Sequence, residues 1–198
     1  MLFAMQIYLI RHPQPRDAAG LCYGRLDLAV GRTALVDTAS AVRRQIPVPI
    51  MRHAPIYTSP LSRCADLARE LSRPREPILA PDLTEMDFGA WEGQSWDTVP
   101  RDELDKWAED VWRYRPGGGE SAQAVADRWR RWVSGLQRCE RNPVIVVTHA
   151  GIIRVALAQN QRRAGTDVAH PAVEFGSVHC FCISDTSSMP VQQSGATP

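Results

Sequence analysis

Four short segments, far apart along the chain, carry residues suited to one kind of chemistry: Arg11-His12-Pro13, Ser59-Pro60-Leu61-Ser62-Arg63, Glu85 with Phe88-Gly89, and Thr148-His149-Ala150-Gly151. Brought together they would supply two arginines, two histidines and a carboxyl group. A neutral imidazole can attack phosphorus, guanidinium groups can neutralise oxygens that stay charged through the transition state, and a carboxylic acid can protonate a leaving alkoxide. Such a set is sufficient to pass a phosphoryl group through a histidine, and it needs no metal or cofactor.

For these residues to meet, strand ends must carry them. Ile7-Tyr8-Leu9-Ile10 and Val144-Ile145-Val146-Val147 are continuous apolar runs, as expected of strands buried on both faces of a parallel sheet. Each run stops at a histidine-bearing segment. A third strand, Ile56-Tyr57-Thr58, stops at Ser59-Pro60, which reads as a helix N-cap followed by proline at the first helical position. The helix after it aligns Leu61, Ala65, Ala68 and Leu71 on one face. Further helices are expected over 33–45 and over 121–138, where Val125, Trp129, Trp132, Val133 and Leu136 form an apolar stripe, and a last strand over 177–183. Strands alternating with helices imply an α/β sandwich, whose ligands sit outside the carboxyl ends of the strands. Arg11, at the end of a buried strand, would be costly if unpaired. Arg63, in the first turn of a helix, opposes the macrodipole unless an anion is bound there.

The region 88–119 differs from its surroundings, holding Phe88, Trp91, Trp96, Trp107, Trp112 and Tyr114 before the turn Pro116-Gly117-Gly118-Gly119. It reads as an insert over the sheet's edge, with its aromatics forming a local core more readily than a ligand platform. One domain over 1–184 and a loose Ser/Thr/Gln/Pro-rich tail over 185–198 complete the expected organisation.

Composition narrows the function classes. In 198 residues, 23 Lys plus Arg against 22 Asp plus Glu leave a formal charge of +1, so no overall field favours nucleic acid or an anionic membrane. Lys106 is the sole lysine, which leaves the positive charge almost entirely to bidentate guanidinium groups. The five cysteines, Cys22, Cys64, Cys139, Cys180 and Cys182, are odd in number and irregularly spaced, as suits reduced thiols in a cytoplasmic protein. No apolar run approaches the roughly 18 residues of a membrane span, and the first residues lack the basic start of an export signal.

Taken in order, these segments resemble the histidine phosphatase superfamily, also called the phosphoglycerate mutase-like family. Arg11-His12, the stretch 59–63, Leu83-Thr84-Glu85-Met86-Asp87-Phe88-Gly89-Ala90-Trp91-Glu92-Gly93, the stretch 116–121 and Val147-Thr148-His149-Ala150-Gly151-Ile152-Ile153-Arg154 each have a counterpart there. The resemblance implies a three-layer αβα sandwich with a mostly parallel central sheet. It also implies that His12 is the nucleophile, that Arg11, Arg63 and His149 hold the phosphoryl oxygens, and that Glu85 is the general acid. Leu21-Cys22-Tyr23-Gly24-Arg25-Leu26-Asp27-Leu28 looks like the Cys-Tyr-Gly-x-x-Asp segment of α-ribazole phosphatases, which would place Tyr23, Gly24 and Arg25 near a small phosphorylated metabolite. The aromatic insert would then be available to stack on that metabolite's base. Two positions depart from the superfamily pattern. Pro13 replaces the glycine after the first histidine and removes an amide donor, and Ala150 displaces the glycine after the second.

The superfamily motifs equally suit a broad small-metabolite phosphatase or a phosphoglycerate mutase, although the chain lacks a long insert after Glu85. A non-catalytic phosphate-binding module is a reading from another class, opposed by the intact set of site residues. Metal binding by His179, Cys180 and Cys182 is opposed by strand alternation, which sets the histidine on the other face from the cysteines.

Overall fold

The computed structural model describes residues 5–137, 142–164 and 172–183, so Cys139 and the tail over 185–198 lie outside the described residues. Among them are strands β1 (Met5–Arg11), β2 (Ile56–Thr58), β3 (Ile78–Leu79), β4 (Val144–Thr148) and β5 (Val178–Ile183). The helices are α1 (Arg32–Gln45), α2 (Val48–His53), α3 (Ser62–Ser72), α4 (Arg101–Glu109), α5 (Ala122–Gln137) and α6 (Ala150–Ala164). The sheet runs in the order β3-β2-β4-β1-β5, parallel except for β5, which lies antiparallel to β1.

The apolar runs in β1 and β4 are continuous because both faces of the sheet are covered. Ile7 and Leu9, with Val144 and Val146, face a core built from Val125, Trp129 and Val133 of α5 and Ile152, Ile153 and Ala156 of α6. Tyr8 and Ile10, with Ile145 and Val147, face Ala39 and Val42 of α1 and Leu67, Ala68 and Leu71 of α3. The result is the expected three-layer αβα sandwich with a mostly parallel sheet. On β5 the alternation holds: Phe181 and Ile183 are buried, Cys180 and Cys182 exposed.

One element start differs from expectation. Helix α3 begins at Ser62 rather than at Pro60, and its cap position is Leu61, in extended conformation at φ −63° and ψ 137°. The cap is supplied from a distance: an Asp27 carboxylate oxygen accepts from the Ser62 N–H at 2.9 Å and from its hydroxyl at 2.8 Å. The Ser59 hydroxyl accepts a local bond from the Leu61 N–H, at 3.3 Å, and so does not cap the helix itself.

The aromatic insert forms a third, smaller core. Trp91, Cys22 and Val99 are buried, with Phe88, Trp96, Leu104, Trp107 and Tyr114 packed around them. Trp96 and Trp107 stack at 6.1 Å between centroids, and the Trp91 indole N–H donates to Glu103 at 2.7 Å. Trp112 turns instead to the α5 side of the main core.

Candidate active site

The sheet register brings the chemical residues level. Arg11 on β1 pairs with Thr148 on β4, the His12 N–H donates to the Thr148 carbonyl at 3.1 Å, and the Ser59 N–H donates to the Val147 carbonyl at 3.1 Å. Three strand ends therefore release His12, Ser59 and His149 at one height. A fourth segment is tied in by the Thr148 hydroxyl, which donates to the Leu83 carbonyl at 2.7 Å. Glu85 then reaches the start of α6, where one carboxylate oxygen accepts from the Gly151 N–H at 3.1 Å. A side-chain carbon on Gly151 would lie 2.3 Å from the other carboxylate oxygen, so any larger residue there would push Glu85 out of this seat. The displaced glycine of the second histidine segment thus has a use: its bare α-carbon and its amide seat Glu85.

His12 is 2% exposed, and its Nδ1 lies 2.7 Å from the Pro13 carbonyl. A carbonyl only accepts, so Nδ1 carries the proton and Nε2 keeps its lone pair. Pro13, which lacks an amide to offer, contributes its oxygen instead. Burial lowers the His12 pKa to about 3, helped by the Arg63 and Arg11 charges and opposed by the Pro13 contact, so the ring is neutral near pH 7. Its neighbour His149 is fully buried, with ring centroids 5.1 Å apart at 64°. His149 Nε2 meets the Ser59 hydroxyl at 2.9 Å and the Cys64 sulfur at 3.4 Å. Burial, with the His12 and arginine charges, holds His149 well below the ordinary histidine range, while burial keeps the Cys64 thiol protonated.

Arg63 is completely buried, not turned to solvent. Its guanidinium donates to the Leu26 carbonyl at 2.8 Å and the Gly24 carbonyl at 2.5 Å, with the Tyr23 ring 5.3 Å away. Arg11 donates to the Val173 carbonyl at 2.6 Å and lies 3.7 Å over the Phe175 ring. In both arginines the Nε–H is buried without a partner among the described residues. An unmet buried donor costs about 1–3 kcal/mol, and two of them on arginines whose charges both act on His12 suit an oxyanion. Burial raises the Tyr23 pKa, with Arg11 and Arg63 pulling it back.

The loop that receives Arg63 is itself pinned. Glu92 accepts from the N–H groups of Arg25 at 2.8 Å, Leu26 at 2.6 Å and Phe88 at 3.1 Å. Gly24 fits because nothing larger does: an added side-chain carbon would stand 1.9 Å from the Met86 carbonyl. Arg25 is turned to Glu120 at 3.3 Å and Asp87 at 3.9 Å. Glu120 also takes two bonds from buried Arg128, which donates further to the carbonyls of Asp82 at 2.7 Å and Glu85 at 3.2 Å. That pair braces the backbone on which Glu85 sits.

Sequence reasoning named His12, His149, Arg11, Arg63, Glu85, Tyr23, Gly24 and Arg25; the structure gathers the first seven and turns the Arg25 side chain to Glu120 and Asp87 instead. It missed Phe175, which has no periodic pattern around it, and the bracing roles of Glu92, Asp27 and the Arg128–Glu120 pair, each of which acts on a segment remote in sequence. Among the described residues, no helix is long and apolar enough to cross a membrane.

The decisive comparison is with protein families, where the histidine phosphatase superfamily (branch 1) matches residues 7–188. The chain belongs to this superfamily. Among curated histidine phosphatases and their relatives, it is similar to the adenosylcobalamin/α-ribazole phosphatase of Salmonella typhimurium, 26% identical over 184 residues and covering 87% of each chain. It is also similar to a metal-independent phosphoserine phosphatase of Arabidopsis thaliana, 28% identical over 158 residues, or 75% of this chain and 66% of that one. Among solved structures, a phosphoglycerate mutase of Thermus thermophilus superposes with a TM-score of 0.66 at 29% identity, covering 89% of this chain and 92% of the other. A candidate α-ribazole-5′-P phosphatase of Escherichia coli shares the fold at a TM-score of 0.71 and 21% identity, over 92% and 95% of the two chains.

Proposed function

We propose that this protein is a phosphomonoesterase acting through a phosphohistidine on His12, with α-ribazole 5′-phosphate as its substrate. The observation that carries the reaction is the Nδ1 contact with Pro13, which leaves the Nε2 lone pair of a neutral imidazole in the field of Arg63 and Arg11, two arginines with unmet Nε–H donors. In the first step Nε2 attacks phosphorus, the ester P–O bond breaks, and protonated Glu85 delivers its proton to the leaving oxygen, releasing the alcohol. The phosphorylated ring becomes cationic, and its Nδ1–H stays bonded to the Pro13 carbonyl. In the second step water attacks phosphorus, Glu85 takes the water's proton, and the P–N bond breaks to free phosphate and neutral His12. Arg11, Arg63 and His149 would hold the charged oxygens throughout; one preorganised donor of this kind contributes about 10²–10³ in rate.

The substrate reading is supported by the similarity to the Salmonella enzyme and by the 21–28 segment, which lies at the site through Tyr23 and the Gly24 and Leu26 carbonyls. Arg25 would meet the substrate's outer part if it left Glu120. The Thermus neighbour favours a second reading, a phosphoglycerate mutase returning the group to substrate. Phosphate release from α-ribazole 5′-phosphate, p-nitrophenyl phosphate and 3-phosphoglycerate, without added metal, separates them. A kcat/KM several orders higher for the ribazole ester, lost in His12→Ala, is the expected result. Flat rates across the panel would remove the ribazole assignment, mutase turnover would replace it, and full activity in His12→Ala would overturn the mechanism.

A further inference from the structure

The segment just before β5 wraps Arg11 from three sides. The Arg11 N–H donates to the Ser177 carbonyl at 3.1 Å, the Gly176 N–H donates to the Arg11 carbonyl at 3.1 Å, and the Arg11 guanidinium donates to the Val173 carbonyl at 2.6 Å. Gly176 makes the turn possible at φ +72°, with Thr38 close against it, and so delivers the half-buried Phe175 ring beneath the guanidinium at 3.7 Å. The same ring stands 5.7 Å from the His12 ring, tilted by 51°.

A flat ring under a flat cation does more than fill space. Its negative face attracts the guanidinium, and stacking allows one orientation of the plane where an aliphatic side chain would allow several. The Val173 carbonyl and Tyr23 hold the edge of the guanidinium, and the ring beneath supports its face, which together set where the unpaired Nε–H points. We infer that Phe175 is a positioning residue for oxyanion binding, acting through the Arg11 guanidinium that it stacks against.

This inference rests on the phosphatase reading of the site, and its test is built on binding rather than turnover. Inorganic phosphate is titrated calorimetrically into the wild-type protein, Phe175→Leu, Phe175→Met, Phe175→Tyr, Arg11→Ala and the double variant Arg11→Ala/Phe175→Leu, with thermal unfolding followed in parallel. The expected result is a loss of about tenfold in affinity for Phe175→Leu and Phe175→Met, within the range of a desolvated cation–π contact. Phe175→Tyr, which restores a ring, should stay within about threefold of wild type by the same reasoning. The double variant should bind no more weakly than Arg11→Ala alone, because a residue acting through Arg11 has nothing left to position. Wild-type affinity in a folded Phe175→Leu or Phe175→Met, or losses that simply add in the double variant, would overturn the positioning role while leaving the phosphatase reading intact. Failure of the wild-type protein to bind phosphate would overturn both.

Discussion

At the scale of single residues, protonation is the sharpest consequence of burial. Histidine in an unfolded chain titrates near 6.5, whereas folded His12 titrates near 3 and His149 well below 6.5. As pH falls through 6.5 the unfolded chain therefore binds protons that the folded one refuses. The stability tied to His12, complete above that pH, should decline down to about 3 by about 1.4 kcal/mol per pH unit, and His149 adds a loss of the same sign. Urea unfolding at pH 7 and pH 5 measures this; His12→Asn should flatten the dependence, and equal slopes would contradict it. For the proposed reaction, His12 acting as a nucleophile neutral down to about pH 3 would place no acid limb of kcat/KM near 6.5. A second expectation concerns Gly151→Ala. The added methyl would meet Glu85 at 2.3 Å, so kcat should drop by ~10²-fold, the contribution typical of a displaced acid, with thermal stability far less affected. The side chains proposed for catalysis were legible from sequence because two histidines and two arginines fall at the ends of predicted strands or one turn beyond. The Pro13 carbonyl and the Gly151 amide were not, since they act through backbone atoms that every residue possesses.

At the scale of elements, distant carboxylates decide how loops and helices begin. Ser59-Pro60 carries a sound local start signal, yet α3 starts later because Asp27 caps it and Ser59 contacts His149. No window of neighbouring residues contains that information. Strands 144–147 and 56–58 and the helix over 121–138 were legible because burial on one or both faces writes a period into the sequence. The loop over 22–28 has no such period and owes its shape to Glu92. Glu92→Gln would offer one acceptor oxygen where the carboxylate offers two, and should destabilise by about 1–3 kcal/mol and raise KM more than it lowers kcat. Steady-state kinetics with urea unfolding checks both parts, and an unchanged KM would detach this loop from substrate. Breaking the Arg128–Glu120 pair with Arg128→Met leaves Glu120 to Arg25 and the Asp87 N–H and leaves two carbonyls unmet, so a loss of about 1–3 kcal/mol is expected.

At the scale of the whole molecule, three cores divide the labour. Two flank the sheet and hold the strand ends level, while the aromatic one underpins the loops over 20–31 and 88–119. Because Trp91 is 2% exposed and bonded to Glu103, Trp91→Ala should cost about 3–5 kcal/mol in unfolding experiments. Retention of normal stability together with a raised KM would instead mark the ring as a ligand contact.

The strand order also governs when the centre can exist. Among the described strands, β1 is made before its partners β4 and β5, which are the last two of the five in chain order. Until β4 emerges, His12 has no Thr148 carbonyl to anchor it and no His149 beside it, and Arg11 waits longer still for the residues at 173–177. A nascent chain that already carries His12 would thus stay inert toward the cell's phosphoesters until β4 and β5 have emerged. Competence would arrive late and all at once, which ribosome-stalled chains of graded length would reveal as a step in phosphate binding.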